Sequence, residues 1–391
     1  MIKFFRLFVV LALVFITVEN VKAQGTLSGA NTITTGVPFL GITPDSRAGG
    51  MGDVGVGTSA DVTSQHWNPA KYVFMESEMG VGLSYSPWLR NLVDDINLAY
   101  LSGYKKLDDI QAVSASLRYF ALGDITFTSE QAEIISQQSP NEFAIDLAYS
   151  RKLSDVFSGS VAVRYIRSDL TAGQDVNGVP TYPGSSYAAD VAFYYYNEFR
   201  RSRKNNSFSA GVNIQNIGSK ISYTDGEIKD FIPTTLKLGA SYTMELDNYN
   251  SFSFSVEANK LLVPTPPVDS TAYGEDDVIW AGGINSDIGV IEGIFKSFGD
   301  APGGMKEEFQ EIAWSVGVEY WYNKQFALRA GYFYENEFKG NRKYLTAGAG
   351  LKMNVFALDF SYLLPTQRNH PLENTLRFSL SFDIDAFSNQ R

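Results

Sequence analysis

The sequence predicts an all-β chain. It reads as a transmembrane antiparallel β-barrel of about 14 strands, with an N-terminal plug segment and a long extracellular loop containing a short helix. Three observations point there. Apolar and polar residues alternate with period two from about Glu76 to the C-terminus, the mark of strands whose two faces meet different surroundings. The alternating segments mostly run ten to twelve residues, whereas globular strands average about five to six and outer-membrane strands need about nine to eleven. Long and short connections also take turns along the chain, as they do when loops face outward and tight turns face the periplasm.

Residues 1–23 read as a secretory signal peptide. Lys3 and Arg6 supply the positive end, Leu7 to Ile16 the apolar stretch, and Val21-Lys22-Ala23 the small-x-small site before Gln24. The apolar stretch is short of the roughly 20 residues a spanning helix needs. Cleavage between Ala23 and Gln24 is therefore expected over retention as an anchor.

Residues 24–75 do not alternate and are expected to form the plug, or hatch, inside or beneath the barrel. Ser46 to Ala70 is rich in glycine, which lets backbone approach backbone. Gly50-x-Gly52 lacks both a strand–helix setting and a following Lys-Ser/Thr, so it is not a nucleotide loop. Thr63 to Ala70 could form one short helix.

The barrel is expected over 76–391. Its strands are read at 77–86, 95–105, 111–121, 142–151, 157–168, 186–196, 207–216, 234–244, 250–261, 311–322, 325–335, 343–353, 355–363 and 374–385. Phe252, Phe254, Val256 and Ala258 against Ser251, Ser253, Ser255 and Glu257 show the pattern. Tyr85, Tyr100, Tyr119, Tyr149, Tyr165, Tyr195, Tyr242, Tyr320, Tyr334 and Tyr362 are placed at the apolar face near strand ends, where an interfacial girdle belongs. The opposite phase carries Arg118, Asp146, Arg164, Asp190, Lys237, Glu257, Glu311, Glu319, Arg329, Lys352, Asp359 and Arg377. Mixed charge suits a water-filled or ion-paired interior better than a conduit for fatty acids.

Loop 262–310 is the largest connection. It opens on a stiff Val263-Pro-Thr-Pro-Pro-Val268, passes acidic Gly274 to Asp277 and Trp280, and reaches a helix for which Ser286 is an N-cap candidate. Ile288, Ile291, Phe295 and Phe298 make an apolar stripe at helical spacing. The stripe suits either a lid packed on the barrel mouth or a partner-facing helix. Trp88, Leu89, Phe127, Tyr182, Tyr223 and Phe231 are further loop residues that could anchor a partner or simply pack their loops. Arg200, Arg201, Arg203 and Lys204 form a basic turn at the other end.

Composition excludes several classes. Cysteine is absent and the only histidines are His66 and His370, which leaves no thiol chemistry, no zinc-thiolate and no multi-histidine metal site. Net charge is −11, against nucleic acid as a partner. No Ser-His-Asp constellation and no carboxylate pair reads as catalytic. No enzyme, cofactor or metal site is expected.

Ser46-Arg-Ala-Gly-Gly-Met-Gly-Asp53 with Trp67-Asn-Pro-Ala70 resembles the N-terminal signature of the FadL-like outer-membrane family. Asn216 to Tyr223, Phe231 to Gly239 and Asp300 to Glu308 narrow the resemblance to the PorV family of Bacteroidota type IX secretion. That resemblance implies a 14-stranded barrel in the cell outer membrane and a function without chemistry. It implies docking on the translocon pore (Sov, also called SprA), capture of cargo C-terminal signal domains, and delivery to the PorU sortase attachment complex. Trp88, Leu89, Tyr182, Tyr223, Phe231, Trp280, Ile288, Ile291, Phe295 and Phe298 are the expected partner-binding residues. The competing expectation is a FadL-like transporter of hydrophobic small molecules.

Overall fold

Every second residue of the C-terminal four-fifths must face lipid, so the strands can end only by pairing all the way round. The computed structural model describes residues 31–89, 95–128, 134–171, 173, 179–201, 204–225, 229–269, 280–281, 283–284, 287–367 and 371–385. The signal-peptide reading, with the Ala23–Gln24 junction, the Gly274–Asp277 run and the Ser286 cap lie outside these residues.

The strands are β1 Met79–Pro87, β2 Ile96–Lys106, β3 Gln111–Leu122, β4 Ile125–Thr128, β5 Ile134–Gln138, β6 Asn141–Ser154, β7 Phe157–Asp169, β8 Gly184–Arg201 and β9 Lys204–Gly218. There follow β10 Thr235–Glu245, β11 Asn250–Leu261, β12 Val268–Asp269, β13 Trp280–Ala281, β14 Ile312–Tyr322, β15 Phe326–Tyr334, β16 Lys343–Lys352, β17 Phe356–Pro365 and β18 Leu376–Asp383. Fourteen of them close a barrel in the order β1-β18-β17-β16-β15-β14-β11-β10-β9-β8-β7-β6-β3-β2. Each sequence-predicted strand is one of these. The seam is antiparallel β1–β18, in register from Gly80↔Asp383 to Tyr85↔Phe378. The pairs β4–β5 and β12–β13 form two small hairpins in long loops. Their runs are too short for periodicity to reveal.

The outer wall carries Val81, Leu83, Leu117, Leu147, Val163, Phe254 and Leu328, all exposed in the isolated chain. Among the lumen residues read from the opposite phase, Arg118, Asp146, Arg164, Asp190, Glu257, Glu311, Glu319, Arg329 and Arg377 are buried. Lys352 is exposed at the end of β16, where the strand leaves the wall. Tyr100 is also corrected. It is buried with Leu98 and Tyr104, on the inward phase of β2, so it belongs to the interior and not to the girdle. The expected connection 197–206 almost disappears, because β8 and β9 run on to Arg201 and Lys204. Arg200, Arg201 and Lys204 thus stand on strand ends, and Arg203 lies outside the described residues.

Two apolar clusters mark the two ends. Val37, Phe39 and Leu40 pack with Ile96, Leu98, Phe120, Ile166, Ile221 and Ile232 at the long-loop end. Tyr72 and Val73 pack with Tyr104 and Ala112 at the short-turn end. Among the described residues, no helix is long and apolar enough to cross a membrane.

Candidate functional site

Residues 31–75 pass through the barrel from one mouth to the other. Asn31 starts at the long-loop end, its N–H donating to Phe338 O at 3.2 Å and its Nδ2 to Pro266 O at 3.3 Å. Gly36 N–H donates to Phe231 O at 2.9 Å. Asp45 then caps the helical turn Ser46–Gly49, accepting from Ala48 N at 3.0 Å and from Trp67 Nε1 at 2.6 Å. The segment ends near the short turns, with Tyr72 stacked on Tyr104 at 4.9 Å between centroids.

Wall side chains hold this thread from every side. Glu257 Oε2 of β11 accepts from Gly55 N and Val56 N, both at 2.8 Å. Thr346 Oγ1 of β16 accepts from Gly52 N at 2.8 Å. Ser158 Oγ of β7 donates to Ala70 O at 2.6 Å. Tyr344 Oη of β16 donates to Asp53 Oδ2 at 2.5 Å. Glycine makes the approach geometrically feasible in two places. Gly52 adopts φ +71°, and a methyl on Gly331 of β15 would overlap the backbone of Met51 and Gly52.

Several interior charges form ion pairs. Glu319 Oε1 lies 3.0 Å from Arg47 Nε and 2.8 Å from Arg329 Nε, and its Oε2 lies 3.0 Å from Arg47 Nη2. Arg47 also meets Asp61 at 2.7 Å, and Arg329 meets Asp359 at 2.5 Å. Arg164 joins Asp146, Asp190 and Asn216, and Arg118 joins His66 and Leu40 O. Charges taken out of water need such partners. Among the described residues, no group of His, Asp and Glu could hold a metal ion.

At the long-loop end, the expected partner-binding residues divide. Trp88 and Leu89 are half-buried and pack on two apolar clusters. Tyr223 is half-buried and donates its hydroxyl to Ser168 Oγ at 2.9 Å. Phe231 is buried, with Lys220 Nζ 4.2 Å from its ring centroid. Burial also lowers the Lys220 pKa, against the attraction of Asp287. These side chains hold loops together. Tyr182 is exposed, its N–H donating to Tyr223 O at 2.8 Å. Trp280 pairs with Asp269 across β12–β13. Ile288 is half-buried.

The loop helix runs Val290–Lys296. It packs through Gly293, whose neighbours are Phe231 and Pro264, not through its apolar stripe. Ile291, Phe295 and Phe298 are exposed at 59%, 74% and 49%, so the lid reading, with the stripe turned down onto the mouth, does not hold. A second helix, Met305–Gln310, was not foreseen. It belongs to a buried ionic clamp. Lys260 Nζ meets Glu308 at 2.9 Å and Glu311 at 2.6 Å; Lys339 Nζ meets Glu307 at 2.5 Å and Glu311 at 3.0 Å. Asp300 Oδ2 accepts from Thr265 N at 3.0 Å. Burial, followed by the nearby Glu308 and Glu311, raises the Asp300 pKa. The overlooked signal was Lys260, a lysine on the lipid phase after Phe252, Phe254, Val256 and Ala258.

A family model described as "Type IX secretion system protein PorV" matches residues 26–268. No curated protein matches the chain. Among solved structures, the chain is similar to the Pseudomonas putida toluene transporter TodX, at 12% identity over 86% of this chain and 96% of that one, with TM-score 0.49. It is also similar to a Pseudomonas aeruginosa FadL homologue, at 10% identity over 90% of this chain and 99% of that one, with TM-score 0.43. LpxR from Salmonella typhimurium aligns at 9% identity over 78% of this chain and 99% of that one, with TM-score 0.35.

Proposed function

The chain belongs to the PorV family of type IX secretion system proteins, and on that premise we propose that it is a non-enzymatic docking barrel that receives cargo at the cell surface. In this reading it binds the C-terminal signal domain of cargo leaving the Sov/SprA translocon pore and passes it to the PorU attachment complex. Its setting, the outer membrane, follows from the closed barrel and the family.

One observation supports the docking role most. The interior is threaded end to end by residues 31–75, whose midsection is tied to the wall by hydrogen bonds and paired charges. The segment acts in this reading as a permanent plug, and only the ends remain for partners. The same observation weighs against transport of hydrophobic small molecules, since a greasy solute would have to displace those buried charges. Tyr182, exposed beside the half-buried Tyr223, is a side chain presented to cargo from the water side.

The test removes loop 262–310, bridging β11 to β14 with a short turn. The barrel is expected to remain heat-modifiable and membrane-inserted, while pull-down of cargo C-terminal domains is lost. Unchanged pull-down overturns the assignment of this loop. Normal cargo display with impaired uptake of a hydrophobic solute would favour the transporter.

A further inference from the structure

Lys260 shows where loop 262–311 goes. On β11 it shares its outward row with Leu236 of β10 and Ile312 of β14. One rung further down the wall, that row continues in Leu238 and Trp314, exposed at 44% and 46%. Lys260 itself is only 8% exposed. Its ammonium is paired with Glu308 and Glu311 of the loop and lies 6.0 Å from the Phe298 ring centroid. Because Lys260 stands on the outward row, the part of the loop that covers it reaches the outer side of the rim.

What it presents there is apolar. Ile291, Phe295 and Phe298 stand at i, i+4 and i+7, and Met305 and Phe309 of the second helix are exposed at 64% and 65%. The opposite stripe, Gly293, Ser297 and Asp300, is buried. Glu292 and Lys296, paired at 2.6 Å, form the polar side. An apolar stripe beside an ion-paired polar one is the arrangement of a helix lying in a membrane surface. Here the stripe extends a wall that already faces lipid, and Trp314 sits where an interfacial aromatic belongs.

We propose that the Val290–Lys296 and Met305–Gln310 helices rest in the outer leaflet of the membrane. Ile291, Phe295, Phe298, Met305 and Phe309 enter the boundary between headgroups and acyl chains, about 5–10 Å deep. The occupant of this apolar face is lipid, continuous with the lipid around β10, β11 and β14. The ionic clamp at Lys260 and Lys339 supplies the buried back on which the helices are set. This goes beyond the cargo reading and does not depend on it.

The absence of cysteine makes the test clean. Ile291→Cys, Phe295→Cys and Phe298→Cys are each labelled with an environment-sensitive fluorophore and reconstituted in phosphatidylcholine nanodiscs containing a doxyl-labelled lipid. Tyr182→Cys serves as the aqueous reference and Leu238→Cys as the lipid reference. Only the heat-modifiable, folded fraction is read. The three stripe positions are expected to be quenched by the doxyl lipid nearly as well as position 238, and to be several-fold less sensitive to iodide than position 182. Iodide sensitivity equal to that of position 182, with no lipid quenching, overturns the proposal. Protection that appears only in native outer membranes overturns it too, in favour of a protein occupant. Because the nanodiscs contain no secretion partner, a failed cargo reading would leave this outcome untouched.

Discussion

Glu319→Gln should loosen the N-terminal thread while leaving the wall standing. Glu319 is buried in β14 and its two oxygens serve two guanidinium groups, Arg47 from the thread and Arg329 from β15. A glutamine keeps the shape but removes the charge, so two buried cations then face a neutral amide. Breaking a buried pair by losing one partner costs about 3–5 kcal/mol. Here each arginine keeps a second carboxylate, Arg47 with Asp61 and Arg329 with Asp359, so the lower end, about 3 kcal/mol, applies. The Arg47 half of that cost falls on a contact between thread and wall; the Arg329–Asp359 half stays within the wall. Local opening of residues 46–57 should therefore become easier by about 1.5 kcal/mol, and amide exchange there should speed up by roughly tenfold. Hydrogen exchange read by mass spectrometry on the folded protein measures this directly. Exchange unchanged over 46–57 would refute the reasoning. So would an equal rise across β14 to β18, which would mean that the residue supports the wall and not the thread.

Two further substitutions probe neighbouring features. Gly331→Ala puts a methyl into the backbone of Met51 and Gly52; overpacking of this kind costs about 1–3 kcal/mol, and trypsin should then cut after Arg47 or Lys71, which resist it in the parent. Equal resistance in parent and variant would show that the thread can shift to make room. Asp300→Asn tests the loop clamp. Because burial raises the Asp300 pKa, the carboxyl contributes stability in acid, below its ordinary titration range, and loses that contribution as pH rises through the raised value. The asparagine stays neutral and keeps an oxygen for the Thr265 amide, so the loop should resist protease at neutral pH at least as well as the parent. That advantage should shrink on acidification, and a variant weaker than the parent at neutral pH would contradict the assignment.

The wall was legible because lipid and lumen impose unlike solvents on alternate residues. Phe252 to Glu257 could satisfy both only as a strand, so all fourteen barrel strands could be found from periodicity alone. Periodicity failed where a residue's phase was overruled by its surroundings. Tyr100 was assigned to the girdle from its residue type, yet the β2 register turns it inward beside Arg118, 5.7 Å from its ring centroid. Lys260 sits on the lipid phase only because the distant Glu308 and Glu311 come back to neutralise it. Such pairings span some fifty residues and leave no local mark. The loop stripe was seen, but a helix stripe does not say which way it points. The burial of Gly293 against Phe231 and Pro264 decided that. Trp88, Tyr223 and Phe231 have the residue types of anchors, and the structure shows them packed within the loops, because long loops must bury something of their own to keep shape.

The β1–β18 seam joins chain segments nearly three hundred residues apart in sequence. The thread touches strands on both sides of that seam: Ser102 of β2 donates to Val62 O at 3.0 Å, and Ser379 of β18 accepts from Ser46 N at 2.9 Å. A cylinder already zipped shut would have to admit the charged cargo of its own N-terminus through a bore lined with matching charges. The order of assembly is thereby constrained. The first residues made are enclosed by the last strand to arrive, as the staves of a cask are raised around what it will hold, and premature zipping would leave an empty, leaky vessel.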